Sequence, residues 1–176
     1  MAVKIMIDAG HGGWDNGAQF EGRKEKDDTL SLALAVGRIL AENGIDVEYT
    51  RTDDIYETPL KKATDANESG ADYFVSIHRN SGTIPEQYIG VQTLVYNDSG
   101  VAHRMAENIN SELASLGFVN IGIEERPNLV VLRRTTMPAV LVEAGFINSN
   151  KDNAIFDSQF DAVATAIADG IMQTIG

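Results

Sequence analysis

Val3-Lys4-Ile5-Met6-Ile7-Asp8-Ala9-Gly10-His11-Gly12-Gly13 is the stretch that decides the fold. Residues 3–7 are a compact apolar run of strand length, and Asp8-Ala9-Gly10 is a turn signal that ends it. The glycines around His11 fit a tight turn or an anion cradle at a helix start, but their spacing is neither a P-loop nor a dinucleotide fingerprint. Beyond the loop, Leu30, Leu32, Leu34, Val36, Ile39 and Leu40 fill a helix-length segment that Asn43-Gly44 closes as a C-cap. Strand, glycine-rich turn and helix together make the opening unit of an α/β domain.

The alternation continues to the end of the chain. Residues 45–49 read as a second strand and 59–68 as a short helix ended by Ser69-Gly70. Residues 73–77 and 91–96 read as strands. Asp98 or Ser99 caps a helix whose stripe is Val101, Met105, Ile109, Leu113 and Leu116. Residues 129–132 and 139–142 read as two further short strands. A last helix over 156–175 carries Phe160, Val163, Ile167 and Ile171 on one face. The pattern predicts one domain over residues 1–176, an α/β fold with a single open, twisted, mostly parallel sheet and helices on both faces.

Composition agrees with that reading. A chain of 176 residues with 43% apolar content is long enough to bury one sizeable core. The formal net charge of −12 argues against a nucleic-acid partner and against docking on an anionic membrane. With no cysteine there is no disulfide framework, so any metal is held by nitrogen and oxygen. No apolar run approaches the roughly 20 residues needed to span a bilayer. Nor does a charged segment, apolar stretch and cleavage site open the chain, so no signal peptide is expected. No sequence feature sets an oligomeric state.

Four residues carry the chemistry: His11, Glu25 in Glu25-Lys26-Asp27-Asp28, His78 in Ser76-Ile77-His78-Arg79-Asn80, and Glu143 in Val142-Glu143-Ala144-Gly145-Phe146. His11, His78 and Glu143 each follow a predicted strand, at the carboxyl edge where open α/β sheets gather ligands. Two imidazoles and one carboxylate make the open-sided ligand set of a catalytic zinc, and a further carboxylate can serve as base. Each residue taken singly has a plainer reading. A lone histidine after a strand is more often a hydrogen-bonded structural residue, and Glu25 alone is an ordinary first-turn helix acid. Glu143 is harder to dismiss, because a carboxylate beside buried Leu141-Val142 needs a partner or a task. His103 lies about 200° from Val101 around its helix and reads as solvated surface. Trp14 falls in the loop after His11, where walling a site and filling part of the core are equally good readings.

These residues stand in an ordered set of motifs that resembles the zinc-dependent N-acetylmuramoyl-L-alanine amidases of the Amidase_3 family, found in bacterial autolysins, spore-lysis enzymes and phage endolysins. The set runs Ile7-Asp8-Ala9-Gly10-His11-Gly12-Gly13, Glu25-Lys26-Asp27, Thr50-Arg51-Thr52-Asp53-Asp54, Ala66-Asn67, the stretch from Ala71 through Ser76-Ile77-His78-Arg79-Asn80, Leu129-Val130-Val131-Leu132-Arg133, and Met137-Pro138 through Glu143 to Asn148. The resemblance covers nearly the whole chain. It implies one Zn2+ ion held by His11, Glu25 and His78, with Glu143 as the catalytic carboxylate. The implied substrate is peptidoglycan, cut between N-acetylmuramic acid and the L-alanine of the stem peptide. Two departures stand out: Ala9 where proline is common, affecting a turn, and Lys62 where arginine is common, affecting a pairing on a helix surface.

Two other classes stay open at this level. One is a metal-free glycosidase using Glu25 and Glu143 as its carboxylate pair, which leaves both histidines without a role. The other is a non-catalytic wall-binding module on a degenerate amidase fold. A −12 domain gains no attraction from anionic wall polymers, so a separate wall-binding domain outside this chain, or action at high local concentration, is expected. The site of action implied is the cell wall, reached by secretion or by release on lysis.

Overall fold

The computed structural model describes residues 1–176. In chain order the elements are β1 (Lys4–Ala9), β2 (Gln19–Phe20), β3 (Arg23–Lys24), α1 (Glu25–Glu42), β4 (Asp46–Tyr49), α2 (Pro59–Ser69), β5 (Tyr73–Asn80), β6 (Val91–Val95), α3 (Gly100–Ala114), β7 (Asn120–Glu125), α4 (Val130–Arg133), β8 (Ala139–Phe146), α5 (Asn150–Ser158) and α6 (Phe160–Ile175). Six strands form one open sheet in the order β4-β1-β5-β8-β6-β7, and β2 and β3 form a separate small ribbon. Every neighbouring pair in the large sheet is parallel except β6 and β8. No helix is long and apolar enough to cross a membrane.

Strand residues alternate between the two faces of the sheet. Ile5 and Ile7 of β1, Val75 and Ile77 of β5, and Val140 and Val142 of β8 join the larger core with α1, α3 and α6. Met6, Phe74, Ala139 and Leu141 belong to a smaller core with Ala66 of α2 and Val131 and Leu132 of α4. Each fully buried isoleucine or leucine contributes about 1.5–3 kcal/mol of transfer free energy, so the larger layer dominates stability. The thinner layer leaves the carboxyl edge of the sheet uncovered. Asp8, Ser76, His78 and Glu143 continue the period-two pattern on that thinner face.

Besides the β2–β3 ribbon, which the sequence reading did not predict, the strand and helix assignments differ from that reading in four places. Residues 129–132 are not a strand: Leu129 is extended, and Arg133 N and Arg134 N donate to the carbonyls of Leu129 and Val130 at 2.8 Å, closing the single turn of α4. A four-residue apolar run has the same periodicity content in either state, and packing of Val131 and Leu132 under the smaller core decides it. β7 was not expected, since its two isoleucines flank a glycine at φ 109° and the rest of it is polar, and it exists as an edge strand paired to β6. The last helix is two, broken at Gln159 (φ −125°, ψ 31°) into α5 and α6. Finally, β5 and β8 run on to Asn80 and Phe146, so His78 and Glu143 sit within strands rather than after them.

Candidate metal centre

His11 follows β1 in a left-handed backbone conformation, φ 64°, which is uncommon for a residue with a side chain. The loop is held there by groups below it. Buried Arg51 donates to the carbonyls of Ala9 (3.0 Å) and Gly10 (2.9 Å), Thr29 Oγ1 donates to Gly10 O at 2.7 Å, and Lys62 Nζ reaches Ala9 O at 2.8 Å. Gly12 and Asp15 exchange two backbone hydrogen bonds of 2.9 and 3.0 Å above it. Two glycines are required by close approach: a Cβ at Gly10 would overlap the His78 ring, and one at Gly17 would stand 2.6 Å from both Glu25 Oε2 and His11 Cδ2.

Glu25 is the first residue of α1, next in chain to the β2–β3 ribbon. His11 Nε2 lies 3.1 Å from its Oε2, and His78 Nδ1 lies 3.0 Å from its Oε1. The backbone N–H groups of Ala18 and Arg79 also donate to it, at 2.9 and 3.1 Å. Ligand atoms of His11, Glu25 and His78 all lie within 4.8 Å of one another. Burial alone would raise the Glu25 pKa, but hydrogen bonds from His11 and His78 hold it well below the usual carboxylate range. Burial likewise pulls His11 down, and the bonds to Glu25 and Asp15 more than offset it, leaving its pKa raised to about 9.

Asp15 is the residue that the sequence reading missed. Its Oδ2 accepts from His11 Nδ1 at 2.9 Å, which fixes the ring and turns Nε2 toward Glu25 and His78. A carboxylate behind a histidine is the usual outer support of a metal-binding imidazole. The signal was its i+4 spacing from His11. The donor set is two imidazole nitrogens and a carboxylate with no sulfur, converging on one point, with an outer carboxylate and a glycine cradle; that chemistry fits zinc.

Glu143 pairs in register with His78 on one side and with Gln92 on the other. Its Oε2 is buried and has no hydrogen-bond partner. Burial, reinforced by the negative charge of Glu25 and opposed by the neighbouring His78 and His11 imidazoles, pushes its pKa up to about 7. The structure therefore brings all four predicted residues to one sheet edge, three as a cluster and one beside it. A cavity of about 340 Å³ opens here, lined by His11, His78, Tyr56, Glu57, Leu129 and Val131 among others.

Lys62 is a correction. It is 4% exposed and forms an ion pair with Asp8 at 2.9 Å, so it belongs beneath the site and not to a helix-surface pairing. Its long apolar stem lets α2 supply a cation to the buried end of β1. His103 is exposed and bonded to Asp98 Oδ1 at 2.7 Å, away from the cluster, as its helical position predicts.

The sequence matches the Amidase_3 family, N-acetylmuramoyl-L-alanine amidase, over residues 5–173. A sporulation-specific N-acetylmuramoyl-L-alanine amidase of Bacillus subtilis (strain 168) is 38% identical over 177 residues, covering 97% of this chain and 68% of that protein. An endolysin of Bacillus phage SPP1 is 37% identical over 183 residues, covering 99% and 67%. Among solved structures, the catalytic domain of the N-acetylmuramoyl-L-alanine amidase CwlV of Bacillus (Paenibacillus) polymyxa var. colistinus superposes with a TM-score of 0.89 at 35% identity, covering 98% of each chain.

Proposed function

Because the chain belongs to the Amidase_3 family of N-acetylmuramoyl-L-alanine amidases, we propose that residues 1–176 are one catalytic domain that cleaves peptidoglycan in a zinc-dependent manner. The bond cut is the amide between N-acetylmuramic acid and L-alanine, and the place of action is the bacterial cell wall. One zinc ion is held by His11, Glu25 and His78, and Glu143 carries the proton chemistry. The observation that supports this most is the pairing of a converged His-Glu-His set with a buried carboxylate oxygen that has no partner.

An amide is a poor electrophile and neutral water a poor nucleophile. Zinc bound at the cluster supplies Lewis acidity, which acidifies water toward a pKa of about 7 and polarises a carbonyl. The chain's own residues do the rest. Asp15 holds His11 in the tautomer that presents Nε2 to the site. Glu143, raised to about 7 with Oε2 free, is suited to take a proton from the attacking water and pass one to the departing L-alanine amine. A glycosidase role for Glu25 is disfavoured, since both of its oxygens are already engaged by histidine and backbone N–H groups.

Product analysis on purified walls tests the reading. New amino termini on L-alanine, abolished by a chelator and restored by zinc, are expected. New reducing sugar ends, or chelator-insensitive cleavage, would contradict it.

A further inference from the structure

Trp14 is the only tryptophan in the chain, and 76% of its surface is exposed. It is not a core residue, and it is not on a loose loop either. The Gly12–Asp15 backbone pair frames it, Gly13 N donates to Asp54 Oδ1 at 2.8 Å, and Lys26 Nζ ties Gly13 O and Asp54 Oδ2, each at 2.8 Å. The indole packs on Tyr56 with ring centroids 4.4 Å apart and planes tilted by 43°. Tyr56 in turn lines the cavity that contains His11 and His78. The two rings therefore make one preorganised aromatic surface that runs from the wall of the reaction cavity out to solvent. An exposed aromatic pair held in place and continuous with a reaction cavity offers a contact surface whose ordering cost is already met.

The identity of what binds there follows from the amidase reading, on which this inference rests. The scissile bond joins a pyranose sugar to a peptide, so substrate leaves the reaction centre in two chemically different directions. A pyranose has a flat face of C–H groups edged by hydroxyls, which suits an aromatic plane ending in a phenol hydroxyl. The other apolar lining, Leu129, Val130 and Val131, is aliphatic and offers no such plane. Charge points the same way. A protein of net charge −12 repels a peptide ending in carboxylates but not an uncharged saccharide. We propose that the Trp14–Tyr56 surface is a docking platform for the glycan strand, with an N-acetylated hexosamine stacked on the indole next to the scissile bond.

Because Trp14 is the sole indole, its emission reports on this site alone. Glu143→Gln protein is titrated with an uncharged β-1,4-linked oligosaccharide of N-acetylglucosamine, and separately with free stem peptide. A saturable change in tryptophan emission with the oligosaccharide, and none with the peptide, is expected. In parallel, Trp14→Ala raises KM for a disaccharide-peptide by about tenfold, the upper range for an aromatic stacking contact. Its kcat, zinc content and melting temperature stay at wild-type values, and Trp14→Phe recovers most of the KM. No emission change with the oligosaccharide, a response to the peptide instead, or an unaltered KM in Trp14→Ala would overturn the platform. If the wild type itself releases no L-alanine amino termini, the amidase reading falls and the platform with it; if it does, only the platform is at stake.

Discussion

Asp8 and Glu143 are both carboxylates on the thinner face of the sheet, on strands separated only by β5, yet their surroundings are opposite. Asp8 is 1% exposed and saturated: Thr50 Oγ1 and Ser76 Oγ each donate at 2.6 Å, and Lys62 Nζ lies 2.9 Å away. Glu143 is half-buried, with its Oε2 enclosed and bare. Burial pushes both pKa values up, but the charge of Lys62 and two hydroxyls bring Asp8 below its ordinary value, whereas Glu143 stays raised to about 7. A satisfied carboxylate is a fixed charge that organises structure. An unsatisfied one exchanges protons near neutral pH, which is what acid–base chemistry requires. The same residue class is suited to two different jobs because its neighbours differ.

Removing the fixed charge should give the largest stability loss. Asp8→Ala leaves Lys62 buried without its partner, and chemical denaturation should register a loss of about 3–5 kcal/mol. Glu143→Gln should do the reverse in metal-free protein. A carboxyl whose pKa is raised on folding contributes stability below its unfolded value, and that stability is lost as pH rises through the folded value. Glu143→Gln should therefore be more stable than wild type above pH 7, by up to about 3 kcal/mol for a raise from 4.5 to about 7. The difference should close below pH 4.5. For Asp8 the sign is opposite: its stabilisation holds above its unfolded value and is lost as pH falls through the depressed one. Melting curves of the two variants against pH check both directions at once.

Smaller effects sharpen the contrast. Asp15→Ala removes the carboxylate behind His11 and should weaken zinc binding by about 10–100-fold in a competition titration, with little change in fold. Ser76→Ala deletes one of the three donors to Asp8 and should cost about 1 kcal/mol, since the carboxylate keeps two others. A loss as large as that of Asp8→Ala would mean that the cluster fails as a unit.

Much of this was legible in the sequence, for identifiable reasons. The strand–turn–helix opening and the period-two runs around Val75 and Val140 fix side-chain direction locally, so sheet and layers are readable from the sequence. The meeting of His11, Glu25 and His78, with Glu143 on the neighbouring register, was legible because the motifs around them are specific. What failed depended on contacts distant in sequence. Residues 129–132 fold as a turn of helix because Val131 and Leu132 pack under the smaller core, and β7 exists only because β6 offers it an edge. Lys62 looked like a surface residue because nothing near it in sequence announces Asp8, 54 residues earlier. Trp14 could have been core or wall until Tyr56 was placed against it.

The proposed function divides the labour: three residues would hold zinc, and Glu143 would move protons. Zinc content and turnover on purified cell wall, measured on the same preparation of Glu143→Gln with His78→Ala beside it, test that division most directly. Glu143→Gln should carry one zinc per chain and lose about 10²–10⁴-fold in turnover, while His78→Ala should lose both metal and activity. Near-wild-type lysis by Glu143→Gln, or full zinc occupancy in His78→Ala, would contradict it.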